Sequence, residues 1–168
     1  MGYEKFGFLA AKDYWFDNNF RRRFFKNLIN LIPISRKPNP ESLDLDDTMT
    51  LSKAFMDLGN NIIIFPEGSR GEVGKIQRFR KGAVKFSMGL DVPILPAAIM
   101  GAEKAWPKGE KFIKPFPITV KVLPKIDPPK TKELSKTAYN KALSKITKEL
   151  EIKISEAVKE LEETKSPD

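Results

Sequence analysis

Cysteine and histidine are both absent from the 168 residues. Without cysteine there is no disulfide framework, no thiol nucleophile and no thiolate metal site. Without histidine the other common zinc ligand is gone as well, so no metal is expected and a zinc enzyme least of all. The residue most often used as a general base near neutral pH is missing too, and any catalytic reading has to accommodate that. No apolar run reaches the roughly 18 residues that a membrane-spanning helix needs. The opening Met1-Gly2-Tyr3-Glu4-Lys5 is too acidic and aromatic for a signal peptide. A cytoplasmic location, or one on the cytoplasmic face of a membrane with peripheral contact, is the default. Internal repeats and low-complexity tracts are also lacking.

What the chain does have is positive charge. Lysine and arginine number 30 against 22 acidic residues, a formal charge of +8. That favours anionic partners such as phosphorylated metabolites, acidic lipid surfaces or nucleic acid. Arg21-Arg22-Arg23 could contact phosphates without sequence preference. They are interleaved with Phe16, Phe20, Phe24 and Phe25, however, and no nucleic-acid-binding module is recognisable, so no nucleic-acid partner is expected. The same aromatic and basic mixture could rest on an acidic membrane, although a core-facing stripe is the simpler reading. The length suits one domain with a real core and is short for two.

Phe16, Phe20, Phe24, Leu28 and Leu31 recur at helical spacing, which predicts a helix over 16–32 stopped by Pro33. Ile32-Pro33-Ile34 then reads as a short strand. Asp44, Asp46 and Asp47 precede a helix over 48–58, since acidic groups favour a helix start and Gly59 suits its end. Ile62-Ile63-Ile64-Phe65 is continuously apolar, as in a strand of a parallel sheet covered on both faces. A helix is predicted over 79–88 with Gly89 closing it, then a second buried strand over 92–100. Residues 112–117 read as loop, and 118–123 alternate as a half-exposed strand. From 132 to 163 neither proline nor glycine occurs, and apolar residues at 134, 138, 142, 146, 150, 154, 157 and 161 form a stripe. This predicts one long helix, or two with an unmarked break. The heptad of a coiled coil is not sustained, so packing back on the domain is expected. Alternating helices and strands give an α/β layered class, with a domain over 1–130 and a helical extension over 131–168.

The segment Phe65-Pro66-Glu67-Gly68-Ser69-Arg70 has its own physical logic. Anions commonly bind outside the C-terminal end of a parallel strand. Pro66 stiffens the exit, and Gly68 permits a tight turn or close backbone approach. Arg70 brings a planar fork of donors suited to paired phosphate oxygens, and Ser69 adds a hydroxyl. Glu67 is out of place in a plain anion site, so it is expected to hold a neighbouring amide or basic group. Between positions 65 and 90 there are six basic residues against two acidic ones, which fits anion binding. A solvated basic surface remains the alternative on composition alone.

These residues resemble the PlsC-type glycerol-phosphate and lysophosphatidate acyltransferases. Ile32-Pro33-Ile34-Ser35-Arg36 is similar to that family's second block, residues 65–70 to its third, with serine in place of threonine, and Val92-Pro93-Ile94-Leu95-Pro96 with Ala97-Ala98-Ile99 to its fourth. Ala11-Lys12, Phe79-Arg80-Lys81-Gly82-Ala83 and Gly101 add support, so the resemblance runs over about 8–125. It implies an αβα layered glycerolphosphate-acyltransferase-like fold, N-terminally incomplete, with a long C-terminal helix. It also implies acyl transfer from acyl-CoA or acyl carrier protein, as co-substrate and without a cofactor, to a lysophospholipid or glycerol-phosphate acceptor. By the same resemblance Arg36 and Arg70 hold the acceptor phosphate, and Phe65, Pro66, Glu67, Gly68 and Ser69 shape the loop. Val92, Pro93 and Pro96 shape the acyl side, while Lys75, Arg78 and Lys81 are weaker anion contacts. The family's first block, an asparagine-histidine pair with aspartate four residues on, has no counterpart here. The expectation is therefore an N-terminally incomplete chain that is inactive alone, with a noncatalytic phosphate- or lipid-binding homologue as the alternative. Glu67 does not replace the base, because a carboxylate among basic neighbours is a weak proton acceptor at neutral pH.

Overall fold

A computed structural model describes residues 6–11, 30–34, 45–69, 71–72, 74–107, 109–110, 112–131 and 134–164. The chain divides into two compact units, Met1–Phe65 and Pro66–Asp168.

In the first unit three parallel strands pair in the order β2-β1-β3, with β1 (Phe6–Ala11) between β2 (Asn30–Ile34) and β3 (Asn61–Ile63). Gly7 stands opposite Asn30 on one side and Ile62 on the other. Residues 30–32 are therefore strand, where helical spacing predicted the end of a helix. The rest of that predicted helix, 16–29, lies outside the described residues. Pairing explains the difference, because Asn30 to Ile34 match Gly7 to Ala11 one for one. Pro33 is tolerated because β2 is an outer strand among the described residues, where a missing donor need not break a ladder. β3 is parallel to β1, as the isoleucine run predicts. Ile62 and Ile63 are half-buried rather than fully covered, however, since β3 is also outermost in this sheet.

Helix α1 (Leu45–Asp57) packs on β2 and β3. It ends where the acidic start and Gly59 predict, with the Gly59 N–H donating to Met56 O at 2.8 Å. A methyl group on Gly7 would stand 2.7 Å from the Phe55 ring, so glycine there lets helix and strand approach closely. The deepest side chains of α1 are Thr48 and Ser52, one turn apart and fully buried. An apolar-periodicity reading cannot find those two.

The second unit is built on α4 (Lys136–Thr164), a single helix about 44 Å long. It packs on α2 (Gly82–Leu90) and on β4 (Ala97–Met100). Leu143, Leu150, Phe79, Val84, Met88 and Ile126 make the core cluster. The predicted stripe is largely realised, with Leu150 and Ala157 buried, but Leu143 and Thr147 lie deeper than Ala142 and Ile146. Helix α2 begins later than predicted, because Phe79 and Arg80 give their amides to partners outside that helix, the Glu151 carboxylate and Pro66 O. It also runs through Gly89 and ends at Asp91 (φ 55), whose short polar side chain tolerates the left-handed region.

The predicted strand over 92–100 shrinks to β4, since Pro93 and Pro96 bring no donors. Ile94 makes one antiparallel bridge to Ile126, and Pro96 O accepts from Leu123 N–H at 2.9 Å. β4 pairs antiparallel with β5 (Thr119–Val122), and the single-turn α3 (Ala102–Ala105) opens the excursion between them. The predicted period-two pattern holds in β5, with its apolar side open. Val120 and Val122 are exposed, while Thr119 and Lys121 are half-buried.

Candidate functional site

Residues 66–69 form a turn whose atoms are tied to the extended segment 77–80. Pro66 O accepts from Arg80 N–H at 2.8 Å. Glu67 Oε2 accepts from Gln77 N–H at 2.9 Å, so the acidic residue does hold a neighbouring amide, as its place in a basic loop led us to expect. Ser69 Oγ donates to Gln77 Oε1 at 3.3 Å. Gly68 has φ 72, and a Cβ there would stand 2.9 Å from Arg80 Nε and 3.0 Å from its Cδ. Glycine is favoured there by the left-handed backbone, and the Arg80 side chain lies in the space a methyl group would take.

Arg80 is the residue that sequence reasoning missed. It counts in the sequence as one of six basic residues between positions 65 and 90 and as supporting similarity, with no site role, yet its side chain lies directly against the glycine of the motif loop. The usable signal was weak, being the basic run Arg78-Phe79-Arg80-Lys81 a short way beyond the loop. Electrostatically the loop carries a guanidinium over its open turn, with the Glu67 carboxylate already engaged by a backbone amide. That arrangement suits a bound anion better than a cation.

The other expected residues are distributed as follows. Arg36 and Arg70 lie outside the described residues. Phe65 is 55% exposed. Lys75 Nζ pairs with Glu72 at 2.8 Å, and Lys81 Nζ donates to Ser144 Oγ on α4 at 2.8 Å. Arg78 is exposed and its charge reaches the Glu151 carboxylate. Val92 O accepts from Ser87 Oγ at 2.5 Å, Pro96 is buried and Pro93 is exposed. Among the described residues no group of three acidic side chains stands together to hold a metal ion. No helix among them is long and apolar enough to cross a membrane.

The segment that clamps the loop is itself held by α4. Glu151 Oε2 accepts from Phe79 N–H at 2.9 Å, and Glu151 Oε1 accepts from Lys148 Nζ at 2.8 Å. The Lys148 hydrogen bond, then the Phe79 amide, keep this carboxyl below its ordinary 4.5. A carboxyl depressed on folding adds stability above its unfolded pKa and loses it as pH falls through the folded one. Glu151→Gln should therefore cost about 1 kcal/mol at neutral pH, and at acid pH, below the carboxyl's folded-state titration, the gap to wild type should close. Denaturant melts at the two pH values check this. A gap that stays constant with pH would assign the effect to something other than the charge.

A family profile described as "Acyltransferase" matches residues 3–100. The 1-acyl-sn-glycerol-3-phosphate acyltransferase of Limnanthes douglasii is 42% identical over 67 residues, which is 40% of this chain and 24% of that protein. The protein of the same name from Cocos nucifera is 33% identical over 85 residues, covering 51% of this chain and 27% of its own. The chain thus spans about a quarter of the length of the curated relatives it matches. Among solved structures, the 1-acyl-sn-glycerophosphate acyltransferase PlsC of Thermotoga maritima superposes with a TM-score of 0.60 at 21% identity. It covers 95% of this chain and 57% of its own, and so supports the fold.

Proposed function

Because this chain belongs to the PlsC-type 1-acylglycerol-3-phosphate acyltransferase family, we propose that it serves the transfer of a fatty acyl group to a phosphorylated glycerol. The donor is acyl-CoA or acyl carrier protein, and the acceptor is lysophosphatidate or a close relative, handled at the cytoplasmic face of a membrane. In this reading Arg36 and Arg70 grip the acceptor phosphate. Glu67, Gly68 and Ser69 shape the motif loop, and Arg80, lying across Gly68, adds a further guanidinium to it. Lys75, Arg78 and Lys81 contribute positive potential nearby, while Val92, Pro93 and Pro96 border the acyl chain. The observation that carries the reading is the clamped turn at Gly68, with Arg80 across it and Glu67 spent on the Gln77 amide.

Chemically, a fixed phosphate converts a diffusional encounter of hydroxyl and thioester into a positioned one. The hydroxyl must still lose its proton as it attacks, which is a general base's work. These 168 residues contain no histidine to do it. That fact favours a second reading, in which the chain by itself only binds phosphate or anionic lipid.

Glycerol 3-phosphate binding by the full chain, measured calorimetrically, tests the site. Arg70→Ala should weaken it at least about tenfold, and Arg70→Lys should restore part of the loss, since a lysine keeps the charge without the fork. Affinity unchanged by Arg70→Ala would remove Arg70 from the site.

A further inference from the structure

Between α3 and β5 the chain makes a closed excursion that no step of acyl transfer uses. Its ends meet where Lys114 N–H donates to Ala105 O at 2.8 Å. Within it, Glu110 N–H reaches Pro107 O at 3.2 Å and Trp106 Nε1 reaches Glu110 O at 2.9 Å. Lys104 Nζ stands 5.3 Å over the ring of Phe116. A loop bonded to itself in this way presents its tip in a set direction.

That tip is apolar. Phe112 is 80% exposed and its neighbour Ile113 is 70% exposed. Two adjacent large side chains held in water give up the gain that burial would bring, which is the mark of a surface made to be covered. The sequence around them is basic, with lysines at 104, 108, 111 and 114 against one glutamate, Glu110, in the same span. Lys114 Nζ lies 3.7 Å from that glutamate. An apolar tip within a lysine-rich stretch of sequence matches an anionic bilayer. Phe112 and Ile113 enter the headgroup boundary, ammonium groups stay with lipid phosphates, and an indole suits the depth between them.

We propose that the loop carrying Phe112 and Ile113, between α3 and β5, is a membrane-docking element that recognises an anionic lipid surface through those two side chains, with Lys104 and Lys114, among the described residues, as its electrostatic component. An acidic protein partner would employ the lysines and leave the two apolar side chains without a role. The inference stands apart from the acyl-transfer reading, because docking is measured with no acyl donor or acceptor present.

The test is co-sedimentation of the full chain with vesicles of phosphatidylcholine plus phosphatidylglycerol, and of phosphatidylcholine alone. Binding to the mixed vesicles is expected to weaken with salt. Phe112→Ala with Ile113→Ala should lower the partition coefficient about tenfold or more. Leu58→Ser, at an 81% exposed leucine in the first unit, should leave it unchanged. In a Trp15→Phe background, brominated lipid should quench Trp106, a readout that needs no loop variant to fold. The proposal is overturned if the double variant sediments like wild type, or if Leu58→Ser loses as much. It fails equally if Trp106 goes unquenched, or if the chain ignores both vesicles while binding an acidic carrier protein.

Discussion

Alanine at position 101 is expected to destabilise the chain by at least about 3 kcal/mol, enough to consume much of a small domain's stability. Gly101 has φ 93, and a Cβ there would lie 2.1 Å from Pro117 O. That atom is backbone, so no rotamer change relieves the overlap. The glycine is pinned from its other side as well. Its N–H donates to Glu103 Oε2 at 2.9 Å, and its carbonyl accepts from Lys104 and Ala105 N–H. Either the β4 end or the Phe116-Pro117 segment must shift, and the strain of the left-handed backbone comes on top. Gly59→Ala is the proper comparison, having φ 79 with nothing within 4 Å of the added methyl. It should cost only about 1 kcal/mol. Thermal melts of the two variants decide the matter. Equal small losses would show that the loop yields freely, and would also weaken the case for a stiff docking element.

The second large effect concerns chemistry. Purified and supplied with acyl-CoA and lysophosphatidate, the 168-residue chain should form no ester above the rate without protein, while still binding glycerol 3-phosphate. A positioned general base is worth roughly 10²–10⁴ in rate, and an alcohol attacking a thioester has little to offer without one. Glu67 is the acidic residue within the motif loop, and its Oε2 is occupied by the Gln77 amide. Ester formation that disappears in Glu67→Gln would overturn this account and make Glu67 the base. Ester formation indifferent to that change would place the base on another residue of the chain.

Much of the fold is readable locally. The acidic start of α1, its stop near Gly59, the helical character of α4 and the loop character of 112–117 all follow from punctuation and period within one segment, whereas period alone leaves the continuity of α4 open. β1 is different. Gly7, Ala10 and Ala11 give no clear alternation, and the segment becomes a strand because it pairs on both sides with stretches far along the chain. Asp91 as a helix terminator escaped notice for a related reason. Gly89 was the better candidate on propensity, and the packing of Phe86 and Met88 carries the helix past it. At the site, the hydrogen-bonding task of Glu67 was legible, because an acidic residue in a basic loop needs a local reason. The bond from Phe79 to Glu151 spans 72 positions and leaves no trace in either neighbourhood. Arg80 was hidden likewise, since only the folded turn brings it over Gly68.

That long-range bond has a practical corollary. The three family blocks lie before residue 100, yet the turn that bears the middle one is braced by a helix that carries no block at all. A shortened gene product ending near residue 130 would keep every diagnostic block and forfeit Leu143, Leu150 and Glu151 together. Similarity marks where relatives agree; the boundary of what can fold is drawn farther downstream.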